Sequence, residues 1–274
     1  MTAVFWVDGA LVGDGAAALR PDDHGLVGDG AFEAIKVRAG KPFAMTRHLN
    51  RLQRSAGALG IKPDLDLIQR GVAEIVRQDL ARTGNFWLRI TVTGGSAPMG
   101  TGGVGTVPTV VIALAPMAAW GPTCDVAITP WSRNQNAPTA GLKTISYADN
   151  VIALRWAHER GADEALFTNT TGVLCEGTGT NVYVVVDGAV LTPPLSGGCL
   201  SGVTRELLIE HGVVEEGDVS LDQLRNAPEA FLTSTSREVH PIATVDGASL
   251  SAAPGPLTTK AAEAFAQIAT TDDP

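Results

Sequence analysis

Apolar and polar residues alternate from the start of the chain. Val4-Phe5-Trp6-Val7 runs into Asp8-Gly9 and then Ala10-Leu11-Val12, which predicts a strand, a tight turn and a second strand. After Gly28-Asp29-Gly30, the run Ala31-Phe32-Glu33-Ala34-Ile35-Lys36-Val37-Arg38 alternates again and predicts a half-buried strand. The turn Ala39-Gly40-Lys41-Pro42 leads to a helix capped by Thr46, carrying His48, Leu49, Leu52 and Leu59 and stopping at Gly60. Residues 65–81 predict a second helix. Strands are predicted over 86–93 and 106–115, with a glycine-rich loop at 94–105 between them.

The second half repeats the alternation. A strand is predicted over 125–129. A helix over 147–160 would present Val151, Leu154 and Ala157 on one face. A strand over 165–169, the turn Thr170-Thr171-Gly172 and a strand from Val173 follow. Asp187-Gly188 joins strands 181–186 and 189–192, a helix covers 204–211, and a last strand covers 230–235. Two prolines and a glycine in 116–123 mark a linker. The expectation is an α/β chain with α+β character: a small N-terminal α/β domain over 1–115 and a larger mixed-sheet domain over 124–274.

Composition narrows the function. The chain has 274 residues, of which 45% are hydrophobic and 18% charged, enough to bury a large core. Its net charge of −9 argues against nucleic acid or an anionic membrane as partner. Cys124, Cys175 and Cys199 form no CxxC pair, which disfavours a zinc site and dithiol chemistry. The five histidines have no metal-ligand spacing, so no metal is expected and they are read as structural. No basic-plus-apolar leader and no apolar run of membrane length is seen, which suggests a cytoplasmic protein.

Four segments carry candidate chemistry. Ser196 to Arg205 is a small-residue loop running into a helix, whose first amides and dipole suit a phosphate. It has neither a Walker lysine nor a GxGxxG spacing. Lys143 stands alone among apolar and small residues in Gly141-Leu142-Lys143-Thr144-Ile145-Ser146-Tyr147, a setting for an amine nucleophile or for a surface lysine. Glu176 sits at the glycine-rich break Cys175-Glu176-Gly177-Thr178-Gly179 and can serve a pyridinium nitrogen or be a turn acid. The strand end Thr233-Ser234-Thr235-Ser236 offers hydroxyls to an anion, and no GxSxG elbow marks a hydrolase serine.

Taken in order, GDGAFEAIKV, RHLNRL, LKTISY, EGTGTNVYVV, GVTREL and FLTSTSREVHPI resemble the class IV aminotransferases, the fold-type IV pyridoxal-phosphate enzymes, from about Val7 to Ile242. That family holds branched-chain, D-amino-acid and R-amine aminotransferases and aminodeoxychorismate lyases. The resemblance implies pyridoxal 5'-phosphate as cofactor, a homodimer, and an amine donor and a keto-acid acceptor as small-molecule partners. It implies that Lys143 forms the internal aldimine and shuttles the substrate α-proton, and that Glu176 pairs with the ring nitrogen. It puts Arg51 on the phosphate with the amides of Val203 and Thr204 and the hydroxyl of Thr235, Leu200 under the ring, and Tyr147 near the 3'-oxygen. Phe32, Lys36, Arg38, Arg89 and Ser236 are the substrate candidates. An Arg-x-His trap of D-amino-acid members is missing at Met99-Gly100-Thr101. The span LRITVTGGSAPMG has the length seen in the lyases, whereas Phe32-Glu33-Ala34 and Thr235-Ser236-Arg237-Glu238 look like the aminotransferases, and aminotransferase is the reading carried forward. The alternatives are a lyase releasing pyruvate and 4-aminobenzoate, and an inert binding protein on the same fold.

Overall fold

The computed structural model describes residues 3–13, 16, 18–77, 84–98, 100 and 107–271. They divide into two compact units. The first holds the described residues through Ala118 together with Leu142–Ser146; the second holds Ala119–Gly141 and the described residues from Tyr147 onward. The chain thus leaves the first unit inside the 116–123 stretch and re-enters it for five residues around Lys143. The continuous 124–274 domain of the sequence reading does not contain that return.

In the first unit, strands β1 (Val4–Val7), β2 (Ala10–Val12), β3 (Gly30–Arg38), β4 (Lys41–Pro42), β5 (Asn85–Thr93) and β6 (Thr109–Pro116) form an antiparallel sheet in the order β2-β1-β6-β5-β3-β4. Asp8 and Gly9 both have positive φ (44° and 111°), the geometry that lets a two-residue turn follow the strand twist. Helices α1 (Met45–Ala58) and α2 (Leu65–Arg77) cover one face. Leu49, Leu52, Ile68, Val72 and Ile75 close that core over Trp6, Ile35, Leu88, Ile90 and Ile112. Leu142–Ser146 lies along β3: Ile145 N–H donates to the Gly30 carbonyl (2.9 Å), and Ala31 bridges Thr144.

Two expectations change here. The helix is capped not by Thr46 but by Ala44, whose φ of 52° turns the chain so that Met45 already opens the helix and Thr46 lies in its first turn. Strand β3 is buried from Gly30 to Val37 rather than on one face, because Glu33 and Lys36 are buried with their apolar neighbours. The helix read over 65–81 agrees over Leu65–Arg77; residues 78–81 and part of the 94–105 loop, with Met99 and Thr101, lie outside the described residues.

The second unit contains β7 (Cys124–Arg133), α3 (Ala148–His158), β8 (Glu164–Asn169), β9 (Leu174–Gly177), β10 (Asn181–Val186), β11 (Ala189–Thr192), α4 (Val203–Glu210), β12 (Glu215–Glu216), α5 (Leu221–Arg225), β13 (Ala230–Ser234), β14 (Glu238–Val245), β15 (Ala248–Ser249) and α6 (Pro256–Thr271). The sheet order is β12-β11-β10-β13-β14-β7-β8-β9, with β15 on β14. It is mixed: β14–β7, β7–β8 and β11–β12 are parallel and the remaining pairs antiparallel. Val182, Val184, Leu232, Ile242 and Leu166 centre its core. The face expected of α3 is displaced. Ala153 and Ala157 are buried against Ala127, Ala165 and Phe167, while Val151 is exposed, because the helix approaches the strands through its smallest side chains.

Candidate active site

The predicted residues fall into two groups, one in each unit. In the first, β3 and α1 assemble a buried cluster. Residue 33 alternates onto the helix-covered face of β3 with Ala31, Ile35 and Val37. His48 and Arg51, three apart on α1, meet it there. Arg51 donates through Nε to Glu33 Oε1 (2.8 Å) and through Nη2 to Oε2 (2.7 Å). His48 Nδ1 lies 2.6 Å from Oε2. Burial pushes the Glu33 carboxyl up, but the charge and hydrogen bonds of Arg51, with His48 adding to them, overcome it and hold it at about 2. Burial pushes His48 down, so its neutral ring donates to the carboxylate.

Lys143 hangs on the same two elements. Its N–H donates to Ser55 Oγ of α1 (3.1 Å), and its carbonyl accepts from the Phe32 N–H of β3 (3.0 Å). Its Nζ stands 4.4 Å from the centre of the Phe32 ring, and the Arg89 guanidinium stands 3.9 Å from the same ring. Arg89 pairs with Ala34 across β3–β5, so Phe32, Lys36, Arg38 and Arg89 share the face opposite Glu33. Lys36 is buried and Arg38 half-buried on this face, where Arg38 lies over Phe43. Arg89 Nε donates to Thr91.

In the second unit, Glu176 is the penultimate residue of β9. One carboxylate oxygen accepts the Leu200 N–H (2.8 Å); the other lies 3.0 Å from Arg133 Nε, an ion pair by distance whose angle makes no hydrogen bond. The Arg133 guanidinium packs on Phe167 at 4.2 Å and donates to Asn150 (3.0 Å), which in turn donates to the Thr178 carbonyl. The loop after Glu176 is anchored by a second buried acid. Glu164 accepts from the N–H groups of Ala165 and Thr178 (both 3.1 Å) and from the Thr178 hydroxyl. Arg237 stands 3.7 Å from it. Burial pushes this carboxyl up, against the pull of Thr178 and Arg237.

The start of α4 suits an anion. Gly202 is its N-cap and offers no side-chain acceptor to the first-turn amides of Val203 and Thr204. A Cβ at Gly202 would come within 2.1 Å of Asn181 Oδ1, whose amide donates to the Leu200 carbonyl (2.8 Å). Arg205, buried at the same turn, is tied to the Pro193 carbonyl (2.9 Å) and to Glu216. Thr235 lies half-buried in the turn after β13; Ser236 is buried, with its Oγ 3.4 Å from Ser234 Oγ. Tyr147 is the N-cap residue of α3.

Each unit by itself offers groups that a phosphorylated pyridine aldehyde requires, the second a carboxyl at Glu176 and the first-turn amides of α4, the first the aromatic-backed amine of Lys143, so the residues fit that group. Other chemistries find less. Burial pushes all three thiols up, to about 12 at Cys124 and Cys199, which keeps them protonated. Among the described residues no cluster of His, Cys, Asp and Glu could hold a metal, and no helix is long and apolar enough to cross a membrane. The sequence reading missed Glu33, Arg133 and Glu164. The signal that could have found Glu33 is the placing of His48 and Arg51 among leucines on one helical face, where a buried cation needs an acid partner.

Fold and site together define a fold-type IV enzyme. The class IV amino-transferase family model matches residues 30–245, and the chain belongs to that family. The chain is 30% identical to a branched-chain-amino-acid aminotransferase of Pseudomonas aeruginosa, over 96% of this chain and 91% of that protein. It is 31% identical to a bifunctional aminodeoxychorismate lyase / D-amino acid transaminase of Mycobacterium tuberculosis, over 97% and 96%. A hypothetical aminotransferase from Mycobacterium tuberculosis, solved in its PLP-bound form, superposes with a TM-score of 0.87 at 26% identity, covering 98% of this chain and 99% of that one. By that membership the chain is a pyridoxal-phosphate aminotransferase.

Proposed function

We propose that this enzyme passes an amino group between an amino acid, or another primary amine, and a 2-keto acid, with Lys143 as its cofactor carrier. The observation that carries this is the setting of Lys143. Its backbone is held on both sides by α1 and β3, and its amine rests on the Phe32 ring. A lysine so fixed presents one nitrogen to one place.

When bound, the cofactor supplies an electron sink for the substrate carbon that loses a proton. The residues then have separate tasks. The Lys143 amine takes the α-proton and returns it. Glu176, whose two carboxyl oxygens meet the Leu200 N–H and Arg133, would keep a proton on the ring nitrogen. Arg51, the Val203 and Thr204 amides and Thr235 would hold the cofactor phosphate, and Leu200 and Tyr147 would bind its ring. Phe32, Lys36, Arg38, Arg89 and Ser236 receive the substrate, the cations meeting its carboxylate. The first unit acts as the small domain and the second as the cofactor-binding domain of a cytoplasmic homodimer.

Borohydride reduction of the holoenzyme followed by peptide mapping tests the carrier. Label at Lys143 is expected, and Lys143→Ala should keep the fold and lose turnover; label elsewhere overturns the assignment. A panel of L- and D-amino acids and R-amines with pyruvate and 2-oxoglutarate identifies the substrates. A second reading, aminodeoxychorismate lyase, is supported by the bifunctional relative. Pyruvate release with no keto acid added would select it.

A further inference from the structure

We propose that Glu33 and His48 are positioning residues that aim the Arg51 guanidinium at the cofactor phosphate, an inference that rests on the reading of Arg51 as a phosphate ligand. A guanidinium is planar, and two of its nitrogens fix the direction of the third. Arg51 spends Nε and Nη2 on the two oxygens of one carboxylate, at 2.8 and 2.7 Å. That carboxylate cannot swing. It lies on the central run of β3 with no exposure, and His48 holds Oε2 at 2.6 Å from the helix side. Arg51 and His48 are themselves buried, at 5% and 1% exposure, so solvent offers no competing partner. Mobile arginines bind anions through charge alone; a fixed one binds by direction.

The placement ties this arginine to Lys143. Glu33 is the neighbour of Phe32, whose N–H holds the Lys143 carbonyl, and Ser55, one turn beyond Arg51 on α1, accepts the Lys143 N–H. The lysine and the arginine are therefore referenced to adjacent residues of the same strand, Phe32 and Glu33, and to positions four apart on the same helix, Ser55 and Arg51 itself. A ligand that must reach an amine with its aldehyde and a cation with its phosphate needs that separation held constant. The Glu33–His48 pair holds the arginine end of it.

The test compares two ligands that share ring and aldehyde and differ in phosphate. Full-length apoprotein is titrated with pyridoxal 5'-phosphate and with pyridoxal, followed by absorbance, for wild type, Arg51→Gln, Glu33→Gln and His48→Asn. Arg51→Gln tests the phosphate reading itself: selective loss of the phosphorylated ligand upholds it, and equal loss or none overturns it together with the inference. Given that selective loss, Glu33→Gln is expected to weaken pyridoxal 5'-phosphate about tenfold and pyridoxal by less than about twofold. His48→Asn, which leaves the Arg51–Glu33 pair in place, is expected to give about threefold, again only for the phosphorylated ligand. If Glu33→Gln folds and weakens both ligands alike, or neither, the aiming role is refuted while the Arg51 reading stands. If Glu33→Gln does not fold, His48→Asn decides on the same criterion.

Discussion

Each unit buries one glutamate beside one arginine, and the two acids end up on opposite sides of the ordinary carboxylate range. Glu33 meets Arg51 through two hydrogen bonds under 3 Å and a neutral histidine behind it, and is held at about 2. Glu164 is equally buried, yet its arginine stands 3.7 Å away and its direct donors are neutral amides and hydroxyls; it is pushed up. Neutral donors alone do not repay the loss of water around an anion, whereas a forked cation at contact does. The difference matches the work proposed for each region. The first unit fixes a cation for an anionic ligand. The second anchors, through Thr178, the loop that follows Glu176.

The largest effect expected from breaking this contrast is at Glu33. Glu33→Ala leaves the Arg51 guanidinium buried and uncompensated, and should cost about 3–5 kcal/mol in urea unfolding. Glu164→Ala leaves Arg237 its other partners, the Trp120 ring at 3.8 Å and the Asp163 carbonyl at 3.3 Å, and should cost less. Equal losses would mean that the two pairings are energetically alike.

The pH dependence should separate the two acids by sign. The folded-state value of Glu33 lies below its unfolded value of 4.5, so its stabilisation is full above 4.5 and is lost as the pH falls toward about 2, on the order of 3 kcal/mol. His48, held down by burial, adds a loss in the same direction from about 6.5 downward. Glu164 runs the other way. Its folded value is raised, so the stability it allows is full below 4.5 and declines as the pH rises above that. Urea titrations across this range should show that Glu33→Gln flattens the acid limb. Glu164→Gln should remove a decline on the neutral side. A decline unchanged in Glu164→Gln would refute the upward shift.

Much of the framework behind this contrast was legible in the sequence. Asp-Gly pairs at 8–9 and 187–188 announced two hairpins, because both residues of such turns need positive φ. The same pair at Asp246-Gly247 joins β14 to β15, but Pro241 interrupts the run before it and obscures the strand. Helix α6 also went unread, since Thr258-Thr259-Lys260 among alanines has no strong apolar stripe. In the site, Lys143 and Glu176 stood out as single chemical residues in small-residue surroundings. Glu33 did not, because alternation reads a polar residue in a strand as solvent-facing, and only the facing helix reveals it as buried. Glu164 and Arg237 are far apart in the chain, and no spacing rule joins them.

The smallest predicted effect sharpens the comparison at one hydroxyl. Thr178→Val keeps the shape of the side chain and its N–H contact to Glu164 but removes the O–H that donates to the same carboxylate oxygen. The cost should be about 1 kcal/mol, the usual net value of one such bond. The carboxyl should move further up, since a donor to its charged form is gone, so the decline in stability on the neutral side should steepen relative to wild type. Thr178 lies two residues past Glu176, and the Asn150 contact to its carbonyl remains, so cofactor affinity should change little. A loss of affinity larger than the loss of stability would mean that Glu164 governs the placement of Glu176 directly. The second unit would then aim its acid through a buried partner, as the first is proposed to aim its arginine, and the division of labour between the two glutamates would disappear.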